Sequence, residues 1–393
     1  MSLSKEIWHW AFYDFANSSY ILIYQSFLLP IFFSTILLQH GYTLSSWGWA
    51  NGISTLIGVI LAIIIGYFAD RYNRFYPFMV SIIITFVGMI AVALSVQYFV
   101  NYLYTLFIAT NSFFILSLAL SDSILPYVAS KKDSYHFGGF AWGFGYIGGI
   151  ISLIIVLGLQ KVTYDYSPWV FLSVAIFYLI FSIYALLGLK KVPLNEPVVS
   201  EVTSPLSKSR KGMLFLGYWL ISECITVILL FFSIFGSQEL HLSTAMLGAF
   251  LLLVQVIAFP ATWYGGYLTK RFHPLSLLGV SIVCWGVTIG LLISQPSIWL
   301  LVLATIFAGL AVGNSQSFLR SQYSTLINKS ESGLQFGMYS LVSEAAVFIG
   351  PILYGYASDS LHSQRIPLMI LFLLMVIGYG LVRYVIKKTH IPL

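Results

Sequence analysis

Twelve long apolar runs fill this 393-residue chain, and 17 of its 19 Lys and Arg fall on one side of them. A helix needs about 20 apolar residues to cross about 30 Å of hydrocarbon, and each run offers roughly that length. In the first half the runs cover residues 10–38, 47–69, 75–96, 103–126, 138–159 and 169–189. In the second they cover 213–236, 245–268, 275–293, 298–319, 336–357 and 366–386. Threading the chain back and forth through them leaves only Lys161 and Arg365 on the sparse side. Basic residues are held on the cytoplasmic side of a membrane, so both termini are expected there. A miscounted run would scramble this alternation. The expected fold class is therefore an all-α membrane protein with twelve transmembrane helices in two six-helix halves.

Composition narrows the function. With 59% hydrophobic and 8% charged residues, the spans leave only short loops and no room for a soluble domain. The formal charge of +6 is dispersed beside the membrane, which fits anionic headgroups and the lipid bilayer as partner, not nucleic acid. Trp47, Trp49, Trp169 and Trp299 open spans on one side and Trp8 and Trp10 on the other, the usual interfacial belt. Cys224 and Cys284 both lie within spans and offer no disulfide framework or metal set. There is no HExxH and no phosphate-binding glycine loop. No cofactor, no metal and no enzymatic activity are expected.

The longest basic-side connection, from Lys190 to Gly212, holds Pro193, Pro197 and Pro205 and reads as a linker. It divides the chain into an N-terminal half of residues 1–190, a cytoplasmic linker of 191–212 and a C-terminal half of 213–393. A repeat supports the division. Gly66-Tyr67-Phe68-Ala69-Asp70-Arg71 closes the second span, and Gly266-Tyr267-Leu268-Thr269-Lys270-Arg271 closes the eighth. Parallel halves of this kind are a recurring plan among secondary transporters.

The segment GYFADRYNR, Gly66 to Arg74, resembles the loop after the second helix in the major facilitator superfamily. WAFYDFANSSY, Trp10 to Tyr20, resembles the opening of the Atg22-like branch of that superfamily. DSILP at Asp122–Pro126, GGFAWGFGYIGG at Gly138–Gly149 and GLAVGNSQSFLRSQYSTLI at Gly309–Ile327 follow in the order of that branch, with FGMYS and IGPILYG after them. One departure is a charge. Where members often carry a lysine in the eleventh helix, this chain has Ser343-Glu344. The resemblance implies a fold of two six-helix bundles, alternating access, export of amino acids, and a charge latch at Asp70, Arg71 and Arg74 that breaks when the cytoplasmic side opens.

An ionised group at the centre of a bilayer costs about 3 kcal/mol or more, so each buried acid needs a reason. Four qualify: Asp14, Asp122, Glu223 and Glu344. No Lys or Arg is expected deep enough in a span to pair with them, and Arg320 is read as snorkelling to the inner interface. Glu223 and Glu344 lie roughly 15 Å into spans seven and eleven by helical rise, near the midplane, where a carboxylate without a cation can hold and release a proton. Asp14 shares a helix face with Asn17 and Ser18, which reads either as part of the substrate pathway, with Asp14 and Asn17 as candidates, or as a structural tie to a neighbouring helix. Asp122 sits near the inner end of span four and is read as a gate, together with Arg320, or as a structural residue, and not as a direct binding group. Neutral polar groups complete the candidates: Asn314 in span ten, Ser340 and Ser343 in span eleven, each of which could equally be packing glue. The glycines of span five form a close-packing ridge for a rocking interface.

Together these features point to a secondary transporter of a small solute, with protons as the coupling ion, in the cell membrane or, in a eukaryote, a vacuolar-type membrane. The alternative is a transporter-like nutrient receptor that binds without flux. The charge distribution yields a first prediction. Tags at either terminus should be labelled only after the membrane is permeabilised; an accessible C-terminus with a protected N-terminus would mean an odd number of spans.

Overall fold

The computed structural model describes residues 4–35, 44–130, 133–163, 167–194, 208–294, 297–326 and 332–389. Among them the chain forms twelve helical rods. The first joins α1 (Lys5–Tyr20), a π-helical segment (Ile21–Phe27) and α2 (Leu28–Thr35). The rest of the first half is α3 (Leu44–Arg71), α4 (Phe75–Tyr98), α5 (Val100–Asp122), the single turn α6 (Leu125–Val128), α7 (Ser134–Gln160) and α8 (Pro168–Leu189). The second half is α9 (Lys208–Gln238), α10 (Thr244–Leu268), α11 (Pro274–Ile293), α12 (Ile298–Leu326), α13 (Ser332–Leu361) and α14 (Arg365–Thr389). Ten of these helices are long and apolar enough to cross a membrane; the first rod and α13 are the other two. The linker expected at 191–212 is described only at its ends.

The first rod departs from a plain helix. Leu28 donates its N–H to the Ile23 carbonyl, five residues back, a register seen mostly in short functional insertions. Pro30 has no N–H to give to the Ser26 carbonyl four residues earlier. That carbonyl accepts from Ser233 Oγ of α9, across the two halves.

Polar groups on α1 and the π segment hold the first half together. Trp10 Nε1 donates to the Ser121 carbonyl at 3.0 Å, and the Tyr13 hydroxyl meets Ser117 Oγ at 2.5 Å. The Tyr24 hydroxyl lies 3.1 Å from both the Met89 and the Phe171 carbonyl, which share its one hydrogen. Asn111 accepts from Gln25 and Tyr20 and donates to Ser54 Oγ at 2.7 Å. In hydrocarbon each such bond contributes about 0.6 kcal/mol, so the set fixes register more than it supplies stability.

The glycines of α7 do serve close approach, on two faces. Gly145 and Gly148 lie against the α1 backbone at Asp14 and Phe15, within the first half. Gly139 and Gly143 lie against α10 at Gly266 and Phe259, across the halves. The glycine ridge expected on span five is thus split: Gly145 packs inside its own half, while Gly149 meets Gln255 of α10. The contrast predicts that Gly148→Ala, whose Cβ would meet the Phe15 carbonyl, costs about 1–3 kcal/mol through overpacking. Gly158→Ala, with open space around it, should leave the melting temperature in detergent unchanged or slightly raised. Equal melting of the two variants would remove backbone contact as the reason for Gly148.

Candidate substrate site

A cavity of about 180 Å³ lies between the halves. Helical register decides what reaches it. From α1 and the π segment come Asp14, Asn17, Ser18, Ile21, Leu22 and Ser26. Ile115, Leu118, Ala119 and Asp122 come from α5, Trp142 and Tyr146 from α7. The second half supplies Ser222, Thr226 and Leu229 of α9, Leu251, Val254 and Gln255 of α10, and Val312, Gln316, Leu319 and Arg320 of α12. The walls are mostly aliphatic and the charged groups gather at one end.

That charged end is built on Arg320, which is 2% exposed. Its two terminal nitrogens lie 3.3 Å from Asp14 Oδ2, and Nη1 lies 3.0 Å from Asp122 Oδ1. Nη2 also donates to the Gly138 carbonyl at 3.2 Å. The Trp10 and Trp142 rings flank the guanidinium at 5.0 and 4.5 Å, a cation–π arrangement that favours the planar charge. Asn17 Nδ2 donates to Asp14 Oδ1 at 3.3 Å. One guanidinium against two carboxylates leaves a formal charge of 1 − 2 = −1. Of the cavity-lining residues, Arg320 and Gln255 each hold one buried polar atom with no partner among the described residues, Arg320 Nε and Gln255 Oε1.

Arg320 overturns the expectation that no base reaches the buried acids. It does not snorkel. Depth counted along a helix locates a Cα, whereas the side chain of Arg320 points inward, toward α1, α5 and α7, and a snorkelling side chain needs a lipid-facing stem. The sequence paired Asp122 with Arg320 only as residues near the same gate; their contact, and the contact of both with Asp14, comes from tertiary packing.

Other expected residues lie elsewhere. Glu223, 3% exposed, follows Ser222 by about 100° of helical turn and faces Gly350 of α13, not the cavity. Asn314 packs against Gly265 of α10 and donates to its own helix at Leu310. Gly313 and Ser321 likewise meet Thr262 and Gly138, so this polar face of α12 is a packing face. Ser340, Ser343 and Glu344 fall on α13, and their side chains lie outside the described residues. Gln255, Thr226, Ser222, Trp142 and Tyr146 were not singled out; only the i, i+4 spacing of Ser222 with Thr226 hinted at a shared face.

Around the cavity the halves are tied at both faces. On the basic face, Asp70 binds Arg74 and accepts from the Leu334 N–H of α13 at 2.8 Å. Arg74 donates to the Leu194 carbonyl and lies over Tyr127, while Arg71 stacks over Tyr67 at 4.1 Å. Ser134 and Ser324 meet at 2.6 Å, and Ser332 donates to the Ser123 carbonyl at 2.9 Å.

The family model described as Major Facilitator Superfamily matches residues 15–351 and again 214–392. The chain belongs to that superfamily. Its relatives include the uncharacterized MFS-type transporter YxiO of Bacillus subtilis, 24% identical over 413 residues, covering 97% of this chain and 94% of that one. Autophagy-related protein 22 of Yarrowia lipolytica is 24% identical over 290 residues, 62% of this chain and 48% of that protein. The match thus spans about half the length of that fungal relative. Among solved structures, a bacterial homologue of the iron transporter ferroportin in its outward-facing state superposes with a TM-score of 0.70 at 14% identity, covering 98% of this chain and all of that one. The nucleoside transporter NupG gives 0.70 at 14% identity with the same coverage. These likenesses show the fold. The chain is a multi-pass membrane protein and a secondary transporter of the superfamily, not an enzyme, and its low-identity relatives include autophagy-related protein 22.

In this transporter, removing one member of the buried ionic cluster should cost more than removing all three. A buried pair broken on one side loses about 3–5 kcal/mol. Arg320→Gln is therefore expected to lower the melting temperature sharply, and the triple variant Asp14→Asn/Asp122→Asn/Arg320→Gln to recover most of the loss. Arg320→Lys should not rescue, because a single ammonium cannot span both acids with the geometry of a guanidinium. Additive losses in the triple variant would show that the three groups do not act as one cluster.

Proposed function

We propose that the chain carries a zwitterionic amino acid with an apolar side chain by alternating access, with a proton as coupling ion. The opposite charges of Arg320 and Asp14 at one end of a largely aliphatic cavity carry this reading. The substrate carboxylate is placed on Arg320, its ammonium on Asp14 with Asn17 and the Gln255 carbonyl oxygen in support, and its side chain along Ile21, Leu22, Ile115 and Val254. A neutral zwitterion leaves the excess negative charge of the site unchanged, so a proton need not share the substrate's seat. The proton is assigned to Glu223, which has no ion pair or hydrogen bond among the described residues; Glu344 is the second candidate. Asp70, Arg71 and Arg74 are assigned as the gate of the basic face, with Asp122 and Arg320 as its inner layer. We take that face as cytoplasmic, and the halves as residues 1–190 and 213–393.

Substrate arrival has a mechanical consequence in this scheme. A carboxylate on Arg320 competes with Asp14 and Asp122 for the same guanidinium and weakens the tie between halves. Binding then favours the state in which the basic face is open, which is the differential affinity that any ligand-driven change requires.

A thermal-shift screen of purified protein against amino acids, sugars and drugs tests the substrate class, since a ligand that binds only the folded state raises its melting temperature. In proteoliposomes, Asp14→Asn is expected to lose both exchange and accumulation of the stabilising amino acid. Glu223→Gln should retain exchange yet fail to concentrate substrate when a pH difference is imposed. Stabilisation without any flux would favour the receptor instead. Undiminished accumulation by Glu223→Gln and by Glu344→Gln would remove both acids as proton carriers.

A further inference from the structure

The helices α3 and α13 run antiparallel and lie against each other from one face of the bundle to the other. Gly48 near the start of α3 sits on the Pro351 carbonyl of α13. At the basic face, Asp70 near the end of α3 accepts from the Leu334 N–H in the first turn of α13, at 2.8 Å. The opposite face holds a counterpart. Asp359 near the end of α13 accepts from the Ser45 N–H in the first turn of α3, at 3.2 Å. Each helix thus ends on an acid that caps the start of the other.

The sequence carries the same correspondence. Gly66-Tyr67-x-x-Asp70 closes α3 and Gly355-Tyr356-x-x-Asp359 closes α13. In both, the glycine and the aspartate are four residues apart, one turn of the same face. The copy at the end of α10 ends in Lys270 in place of the acid. There α7 and α10 meet through Gly139 and Gly266 instead. The acid stands on the helix pair whose N-terminal N–H groups face it, where the helix dipole favours negative charge.

We propose that Asp359 is a second latch, which holds the face opposite Asp70 closed by capping α3 across the two halves. Its surroundings suit a bond that must break. Ser45 and Asp359 line a surface depression with Glu239, His362 and Gln364, so water can replace the bond when the halves part. Ser233 Oγ on the Ser26 carbonyl lies between this latch and the cavity as a neutral inner bond. The two acids then oppose each other: Asp70 favours closure of the basic face, Asp359 closure of the other. The inference concerns the transport cycle proposed above, but its test requires no substrate.

Single cysteines placed at Leu229 and Leu251, which line the cavity, in a Cys224→Ser/Cys284→Ser background report access through impermeant thiol reagents applied from each side. Asp359→Asn is expected to raise labelling from the face where α3 begins, relative to the basic face, by about tenfold, as befits one charged hydrogen bond. Asp70→Asn should shift the ratio in the opposite direction, and the double variant should return toward the parent. Ser45→Pro removes the donor at a first-turn position that tolerates proline and should reproduce Asp359→Asn without touching the acid. A purely structural cap would lower the melting temperature and leave the ratio alone. Either that result, or shifts of the same sign from Asp359→Asn and Asp70→Asn, would overturn the proposal. These labelling outcomes stand whether or not amino acids prove to be the substrate.

Discussion

A guanidinium inside a bilayer is tolerable only where carboxylates hold it, and Arg320 therefore dictates which helices must meet. Its two acids sit on α1 and α5, its third acceptor on α7, and its own Cα on α12. Four helices from two halves converge on one side chain. The desolvation of three ionised groups can exceed what their attraction returns, so such a cluster is weak evidence for stability. It is better evidence for a specified arrangement. With the acids fixed, Asn17 is drawn to Asp14, and Trp10 and Trp142 close over the cation. The charged end of the cavity follows from these contacts, and the aliphatic walls follow from the helices that the contacts align.

Much of the architecture is legible in the sequence. The apolar runs located the rods, and the placement of Lys and Arg ordered them, because hydrocarbon imposes a length and a polarity on every crossing. The motif around Asp14 pointed to a functional stretch, and Asp14, Asn17 and Ser18 do line the cavity. What failed was the step from depth to direction. Glu223 and Ser222 are equally deep, yet one faces α13 and the other the cavity. A membrane helix that is apolar nearly all round gives hydropathy no phase, so the facing of a single polar residue is set by neighbours that one sequence does not place. Arg320 was misjudged for the same reason: its stem turns toward protein, where three acceptors wait.

The first rod shows a different limit. Nothing in its hydropathy separates the π segment from the helices on either side. Pro30 is the one local cause on display, since it removes a donor four residues beyond Ser26. The freed carbonyl finds Ser233 in the other half, so a local irregularity becomes a contact across the transporter. Ile21, Leu22 and Ser26 all belong to this segment and all line the cavity. The widened helix is where the wall of the site is shaped, and where a change of register would alter both the wall and the contact with α9.

The placement of ties above and below the cavity constrains how such a molecule can move. Transport requires that one set open while the other holds, and neither set can be so strong that binding energy cannot shift the balance. Charged hydrogen bonds to helix N-termini at the two ends of α3 and α13 meet that condition, since each contributes about 0.3–1 kcal/mol where exposed and up to about 2 where partly buried. The Arg320 cluster joins α12 to α1 and α5 and lies toward the basic face. A substrate that competes for its guanidinium therefore acts on the basic-face side of the balance and shifts it by its differential affinity for the two states. In that sense the position of the cluster, and not only its chemistry, suits a site whose occupancy must be felt at the gate.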